Sequence, residues 1–149
     1  AFDPEKMGLQ LVEYADWLPG YGVQYFVAID GINMFLILLA TLMVPLVLLA
    51  SWMHIQRSLR SFVFFLLVFE SAVLGVFLSF NVLLFHIFWQ VALVSMYFMI
   101  GIWGGKRRLY ATVKFFIYTM AGSLLMLVAL LALYAMHHAQ FGVWSASIV

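Results

Sequence analysis

Four long apolar stretches separated by short polar segments dominate the sequence. They cover residues 31–53, 61–80, 82–103 and 112–136, and each is long enough for an α-helix that crosses a bilayer, which needs roughly 20 apolar residues. Almost nothing separates the second stretch from the third, so we expect those two helices to form a tight antiparallel hairpin. The pattern predicts an all-α membrane protein with four transmembrane helices in one domain, residues 1–149.

The first 29 residues are more polar and contain no apolar run of spanning length. We therefore expect residues 1–29 to form an extramembrane segment that precedes a helical bundle over 31–136. Within this segment, LPGYG at 18–22 predicts a turn and VQYFVAI at 23–29 predicts a short strand. The opening AFDPEKMGLQ has no apolar core, so we expect no secretory signal peptide here.

Composition supports the membrane assignment and excludes several kinds of chemistry. The chain is 67% hydrophobic and 9% charged, whereas a soluble domain is usually about 25% charged. The absence of cysteine excludes disulfides and Cys-ligated metals, and a net charge of +1 gives no reason to expect a nucleic-acid partner. Since no phosphate-binding loop, nucleophile–base pair or metal-ligand spacing occurs, we expect no catalytic residue, metal or cofactor in this chain.

The distribution of basic residues predicts the orientation in the membrane. Five of the seven Lys and Arg residues lie in the loops at 54–60 and 104–111, which share one side of a four-helix bundle. The opposite side carries one base and the acidic residues Asp3, Glu5, Glu13, Asp16 and Asp30. By the positive-inside rule, the two loops face the cytoplasm. We therefore expect a multi-pass protein of the inner (cytoplasmic) membrane with both ends on the outer side.

Four polar residues within the spans are candidates for a proton path: Glu70, His86, Gln90 and Lys114. Ionisable groups at membrane depth are costly and usually functional. Glu70 and Gln90 lie about equally far from the turn near residue 81, roughly 15 Å into the membrane, so we expect them to be hydrogen-bonding neighbours. His86 lies one helical turn outward from Gln90.

Two of these candidates, His86 and Lys114, also have an ordinary structural interpretation, whereas an isolated carboxyl such as Glu70 is expected to be neutral or partnered. A lone histidine such as His86 is more often a buried, hydrogen-bonded side chain than a proton carrier. Lys114 lies about one turn from the cytoplasmic boundary, where a lysine extends its ammonium group to the interface. The small residues AGS at 121–123 favour close helix packing. From the residues alone, a buried polar line in a four-helix bundle suits either an ion-conducting subunit or a structural one.

Several stretches resemble a known family in order and spacing: AIDGINMFLILL, FWQVALVSMYFMIGIWGG, YATVKFFIYTMAGSLLMLVALLALY and FGVW. They resemble the antiporter-like M subunit (chain 4) of proton-translocating NADH:quinone oxidoreductase, respiratory complex I. The resemblance extends over almost the whole chain from Trp17, although the family's chain is much longer. It implies a non-redox subunit without cofactors that contributes to proton translocation beside other membrane subunits and the lipid bilayer.

The resemblance also assigns individual positions. Lys114 matches the family's lysine in KFFIYT, and Glu70 matches a position that is often acidic. Where the family usually has Phe-Trp-Glu, this chain has Phe88-Trp89-Gln90, and an amide cannot carry charge. The sequence therefore leaves two alternatives open: a structural or non-pumping relative of the same fold, and a subunit of a sodium/proton antiporter complex.

Overall fold

The computed structural model describes residues 8–18, 23–53, 55 and 58–142. It contains two strands, β1 (Gln10–Leu18) and β2 (Val23–Ile29), followed by four helices, α1 (Gly31–Ser51), α2 (Leu59–Leu78), α3 (Val82–Trp103) and α4 (Arg108–Phe141). All four helices are long and apolar enough to cross a membrane. The predicted all-α membrane fold with four spans is therefore confirmed. Most of the turn predicted at 18–22 lies outside the described residues.

The helix boundaries agree well with the apolar stretches except in α4. The range of α3 is the predicted one, α1 begins as predicted and ends two residues earlier, and α2 begins and ends two residues earlier. The helix α4 begins four residues before the predicted 112–136 and ends five residues after it. Apolar content indicates where a helix lies in lipid, but a helix continues into water for as long as its polar residues permit.

Side-chain and backbone hydrogen bonds explain why three of these helices begin or end where they do. The Asp30 carboxylate accepts a bond from the Gly31 N–H at 2.7 Å. Asn81 Oδ1 accepts from the N–H groups of Leu83 and Leu84 at the start of α3. These side chains satisfy N–H groups that have no partner within the helix. Gly142, at φ 70°, ends α4 in the left-handed region that glycine adopts readily.

Successive helices pack against each other, and the most extensive contact joins α2 to α3. Gly75 of α2 lies directly against the ring of Phe88 of α3. At the other end of the same pair, Phe62 makes an edge-to-face contact with Trp103, with ring centroids 5.4 Å apart. The predicted tight hairpin of the second and third spans is therefore present, and it forms the centre of the bundle.

The two strands form an antiparallel hairpin at the end of the bundle where α2 turns into α3. Val27 pairs with Ser79, and the Phe80 N–H donates to the Phe26 carbonyl at 3.0 Å. The predicted strand at 23–29 is confirmed, whereas β1 was missed. Register shifts between Gln10 and Glu13, and again between Asp16 and Leu18, interrupt the alternation by which a strand is recognised.

One ionisable side chain of β1 has a shifted pKa. The Tyr14 hydroxyl donates to the Asp16 carboxylate at 2.7 Å. This hydrogen bond raises the pKa of Tyr14 above its ordinary value, because ionisation of the phenol would remove the donor. Tyr14 and Asp16 are therefore paired as donor and acceptor on the exposed surface of the hairpin.

Candidate functional site: a hydrogen-bonded cluster between α3 and α4

A small polar cluster joins α3 to α4 within the membrane-spanning part of the bundle. Gln90 Nε2 donates to Ser123 Oγ at 3.1 Å and lies 3.3 Å from His86 Nε2. The Ser123 hydroxyl donates to the Met120 carbonyl at 3.1 Å. His86 is 7% exposed, Ser123 is 4% exposed, and Gln90 is half-buried. The three side chains form one continuous chain of hydrogen bonds, here called the polar cluster.

Helix geometry explains why these residues meet. His86 and Gln90 are four residues apart on α3, so they lie on the same face one turn apart. Because α4 runs antiparallel to α3, Ser123 arrives at about the depth of Gln90. The sequence placed Ser123 in a small-residue packing segment and missed its bond to Gln90. The depth of Gln90 and Glu70 was estimated by counting residues from the turn near residue 81. The same count from the loop between α3 and α4 would have placed Ser123 opposite Gln90.

The predicted bond between Glu70 and Gln90 is wrong for the residues that the structure describes, where Gln90 bonds to His86 and Ser123 instead. Ala72 and Gly75 are the buried α2 residues near this depth, and Gly75 contacts α3. Glu70 is two residues before Ala72, about 200° around the helix. Equal depth therefore does not by itself bring Glu70, which is half-buried, to Gln90, because rotation about the helix axis also decides which side chains meet.

Lys114 also lies apart from the polar cluster. Its side chain is exposed on α4, with Nζ 5.8 Å from the centroid of the Tyr110 ring. Thr112, two residues earlier, is buried next to Gly101 of α3, so Lys114 points away from that helix. A cation over an aromatic face is favourable by about 0.5–1 kcal/mol at exposed sites. Of the four predicted proton-path residues, the structure brings together His86 and Gln90.

The orientation of the Gln90 amide in this arrangement corresponds to one tautomer of neutral His86. A Gln side-chain NH₂ group has two hydrogens and no acceptor, so His86 Nε2 accepts and the neutral ring carries its proton on Nδ1. His86 Nδ1 is buried and has no hydrogen-bond partner within the described residues. Within the cluster, the His86 imidazole is the group whose ring nitrogen can carry an additional proton.

A metal centre has no support in the described residues. In that part of the chain, no group of three or more His, Cys, Asp or Glu side chains is placed to hold a metal ion. The chemistry that the cluster offers is the transfer of protons and the exchange of hydrogen bonds.

Comparison with known proteins gives matches along nearly the whole chain. Residues 7–80 match the family described as "NADH-ubiquinone oxidoreductase chain 4, amino terminus". Residues 79–142 match the family described as "NADH:quinone oxidoreductase/Mrp antiporter, TM". The two matches meet at the turn between α2 and α3, so both halves of the central helix hairpin are covered.

Individual relatives agree with the family matches. NADH-quinone oxidoreductase subunit M of Rhodobacter capsulatus is 41% identical over 135 residues, which are 91% of this chain and 26% of that protein. F(420)H(2) dehydrogenase subunit M of Methanosarcina mazei is 39% identical over 142 residues, 95% of this chain and 29% of that protein. The chain thus spans about a quarter of the length of these relatives.

A solved structure shows the same fold. A chain of respiratory complex I from Thermus thermophilus with bound NADH superimposes with a TM-score of 0.76 at 26% identity. The match covers 97% of this chain and 29% of that chain. The arrangement of the strand hairpin and the four helices is therefore one that occurs within a larger membrane subunit.

Proposed function

The chain belongs to the M (chain 4) family of antiporter-like NADH:quinone oxidoreductase subunits, and from this membership we propose that it works in a complex I-like membrane enzyme. It contributes to proton translocation that is coupled to electron transfer elsewhere in the assembly. In this proposal the chain is a non-redox subunit, holds no cofactor and packs against other membrane subunits. It is a multi-pass membrane protein.

One observation supports proton movement rather than membrane anchoring alone. His86, whose ring nitrogens can gain and lose a proton, is buried in a spanning helix and connected through Gln90 to the neighbouring helix. Polar and ionisable groups in such places are costly, and they mark proton relays in membrane proteins. We include Glu70 and Lys114 in the proposed path, as the groups that extend it beyond the polar cluster.

The proposed orientation follows the charges. The loops at 54–60 and 104–111 face the cytoplasm, and the strand hairpin lies on the outer side with the turn between α2 and α3. In support, the hairpin bonds directly to Ser79 and Phe80 at that turn. His86 then lies in the outer half of α3, between the outer surface and Gln90.

Purification of the intact complex through a tag on the full-length subunit tests the function. Mass spectrometry should find flavoprotein and iron–sulfur subunits, and the reconstituted complex should acidify or alkalinise vesicles when a reduced donor and a quinone are supplied. Choline buffers and labelled sodium then distinguish protons from sodium ions. A complex without redox subunits, or one that moves sodium without electron transfer, would favour the antiporter alternative instead.

A non-pumping role is the second candidate, and Gln90 favours it. The resemblance places Gln90 where the family usually has a glutamate, and an amide neither loses a proton nor carries a charge. Under this alternative the segment keeps the fold and the helix contacts but is silent in translocation. Its expected result is an assembled, redox-active complex whose protons per electron do not respond to substitutions at His86 or Glu70.

A further inference from the structure

We propose that His86 is the proton-accepting group of this segment and that the Gln90 amide controls it, by presenting either Nε2 or Oε1 to the imidazole ring. The inference rests on the proposed function in proton translocation and specifies which group carries the proton. It also gives Gln90 a task that an amide is able to perform, since a side-chain amide has a donor end and an acceptor end.

In the arrangement observed, His86 has no nitrogen free to take a proton. Gln90 Nε2 supplies one hydrogen to Ser123 Oγ and the other to His86 Nε2, at 3.1 and 3.3 Å. The ring proton is then on Nδ1, and the lone pair of Nε2 is occupied. Ser123 directs its own hydrogen to the Met120 carbonyl. We call this the closed state of the polar cluster.

Rotation of the Gln90 amide by half a turn reverses every bond in the cluster without moving the helices, provided that the histidine also changes tautomer. Water takes the proton from Nδ1 as that N–H bond breaks, and a proton from water forms the new Nε2–H bond, so the ring stays neutral. Oε1 then lies where Nε2 was and accepts from His86 Nε2–H and from the Ser123 hydroxyl, which turns away from Met120. The two orientations have nearly the same shape, because O and N of an amide are almost equal in size. With its proton on Nε2, His86 has an unshared electron pair on Nδ1. This is the open state.

Proton uptake in the open state occurs at Nδ1. A hydronium ion gives up one proton, an O–H bond breaks, an N–H bond forms on Nδ1, and a neutral water and an imidazolium result. The imidazolium is stabilised by Oε1 of Gln90 at Nε2–H. Return of the Nδ1 proton to a water molecule restores the neutral ring, so the cycle is balanced in atoms and charge.

The burial of Nδ1 supports this assignment. Buried polar atoms are nearly always hydrogen-bonded, yet His86 Nδ1 has no partner among the described residues. Water suits a nitrogen that is a donor in one state and an acceptor in the other. The elements packed against α3 carry these ionisable groups: Arg60 and Glu70 on α2, Tyr25 on β2, and Arg108, Tyr110, Lys114, Tyr118, Tyr134, His137 and His138 on α4. The hydrogen bonds of the polar cluster join His86, Gln90, Ser123 and the Met120 carbonyl.

The test uses the full complex in sealed vesicles and measures protons translocated per electron together with the electron-transfer rate. In the variant His86→Gln, a buried hydrogen-bonding side chain remains but no longer accepts a proton. In Gln90→Met, His86 is retained but the imidazolium loses its acceptor. Ser95→Ala is the matched control, because Ser95 is a buried α3 serine whose hydroxyl donates to the Val91 carbonyl of its own helix.

We expect both His86→Gln and Gln90→Met to lose proton translocation at retained electron transfer, and Ser95→Ala to translocate like the wild type. If His86 only stabilised the bundle, His86→Gln would pump like the wild type, and this result would overturn the proposal. If the His86→Gln complex does not assemble, the Gln90→Met complex provides the test: wild-type proton translocation in that variant would overturn the proposal. A wild-type complex that transfers electrons without moving protons would contradict the proposed function itself, and the role of His86 with it.

Discussion

Gly75 of α2 and Phe88 of α3 are in direct contact, and a side chain at residue 75 would occupy the space of the Phe88 ring. Gly75 is buried in the seam between the two helices that pack most extensively. The absence of a Cβ atom therefore sets how closely α2 approaches α3. Small residues serve this purpose in membrane bundles, where close packing rather than the hydrophobic effect joins helices.

Gly75→Ala should destabilise the bundle by about 1–3 kcal/mol, the usual cost of overpacking a filled interior. The temperature at which the detergent-purified complex dissociates would measure this effect. Gly122→Ala provides the control, because Gly122 is also helical but has open space around it. If both variants lowered the dissociation temperature equally, the contact with Phe88 would not be the cause.

The bond between Gln90 and Ser123 should contribute measurably to the packing of α3 against α4. In a double-mutant cycle of Gln90→Met and Ser123→Ala, we expect a coupling free energy of about 0.6 kcal/mol, typical of hydrogen bonds between membrane helices. Replacing Ser123 by Ala in a cycle with Ser95→Ala should give no coupling, since Ser95 bonds within its own helix. Additive effects of the Gln90 and Ser123 substitutions would show that the bond is not formed.

Glu70→Gln should lower proton translocation while electron transfer continues. The substitution keeps the volume but removes the single acidic group within the four predicted spans, and a carboxyl group at this depth is costly unless it functions or has a partner. Proton uptake by reconstituted vesicles provides the measurement. Ser71→Ala is the neighbouring control, because its exposed hydroxyl bonds back to the Leu67 carbonyl. Unchanged pumping in Glu70→Gln would exclude this carboxyl from the path.

Impermeant thiol reagents should label the two ends of the bundle from opposite sides. In a cysteine-free background, Gly105→Cys and Ser58→Cys should react from the cytoplasmic side, and Glu13→Cys from the outer side. All three positions are exposed, and the charge distribution sets the expected sides. Labelling of Ser58→Cys from outside would reverse the orientation and the assignment of His86 to the outer half.

The sequence predicts most of the fold because spanning length and apolar content are strong constraints. The bounds of α3 follow from them directly, with Asn81 at one end and Gly104 at the other. The strand β1 was missed because its register shifts disturb the alternation of side chains. The prediction placed both ends of α4 too far inward. Arg108 and His137 lie in the helix, but they are polar, and an apolar stretch was taken to end at such residues.

The site was predicted in part, for a reason of geometry. His86 and Gln90 share a helix, so their spacing alone places them together. Glu70 and Ser123 lie on other helices, where depth is readable from the sequence but rotation about the helix axis is not. Side chains two positions apart on a helix point in directions that differ by about 200°. A residue can therefore lie at the depth of the polar cluster, as Glu70 was predicted to, without facing it.

The helix α4 has one further consequence because of its length. Its 34 residues extend about 51 Å at 1.5 Å per residue, against a hydrocarbon core of about 30 Å. Even a tilt of about 40°, the upper end of the usual range, leaves about 39 Å along the membrane normal. Arg108 is held to the end of α3 by its bond to the Ile102 carbonyl, so the excess lies mainly at the end with His137 and His138.

Because of this extra length, α4 continues beyond the hydrocarbon core as one uninterrupted helix. A small rotation of the helix near Ser123 is magnified into a larger sideways displacement at Ala139, which is exposed. A spectroscopic probe at Ala139 would therefore record changes in the inclination of α4 at a point well away from the polar cluster.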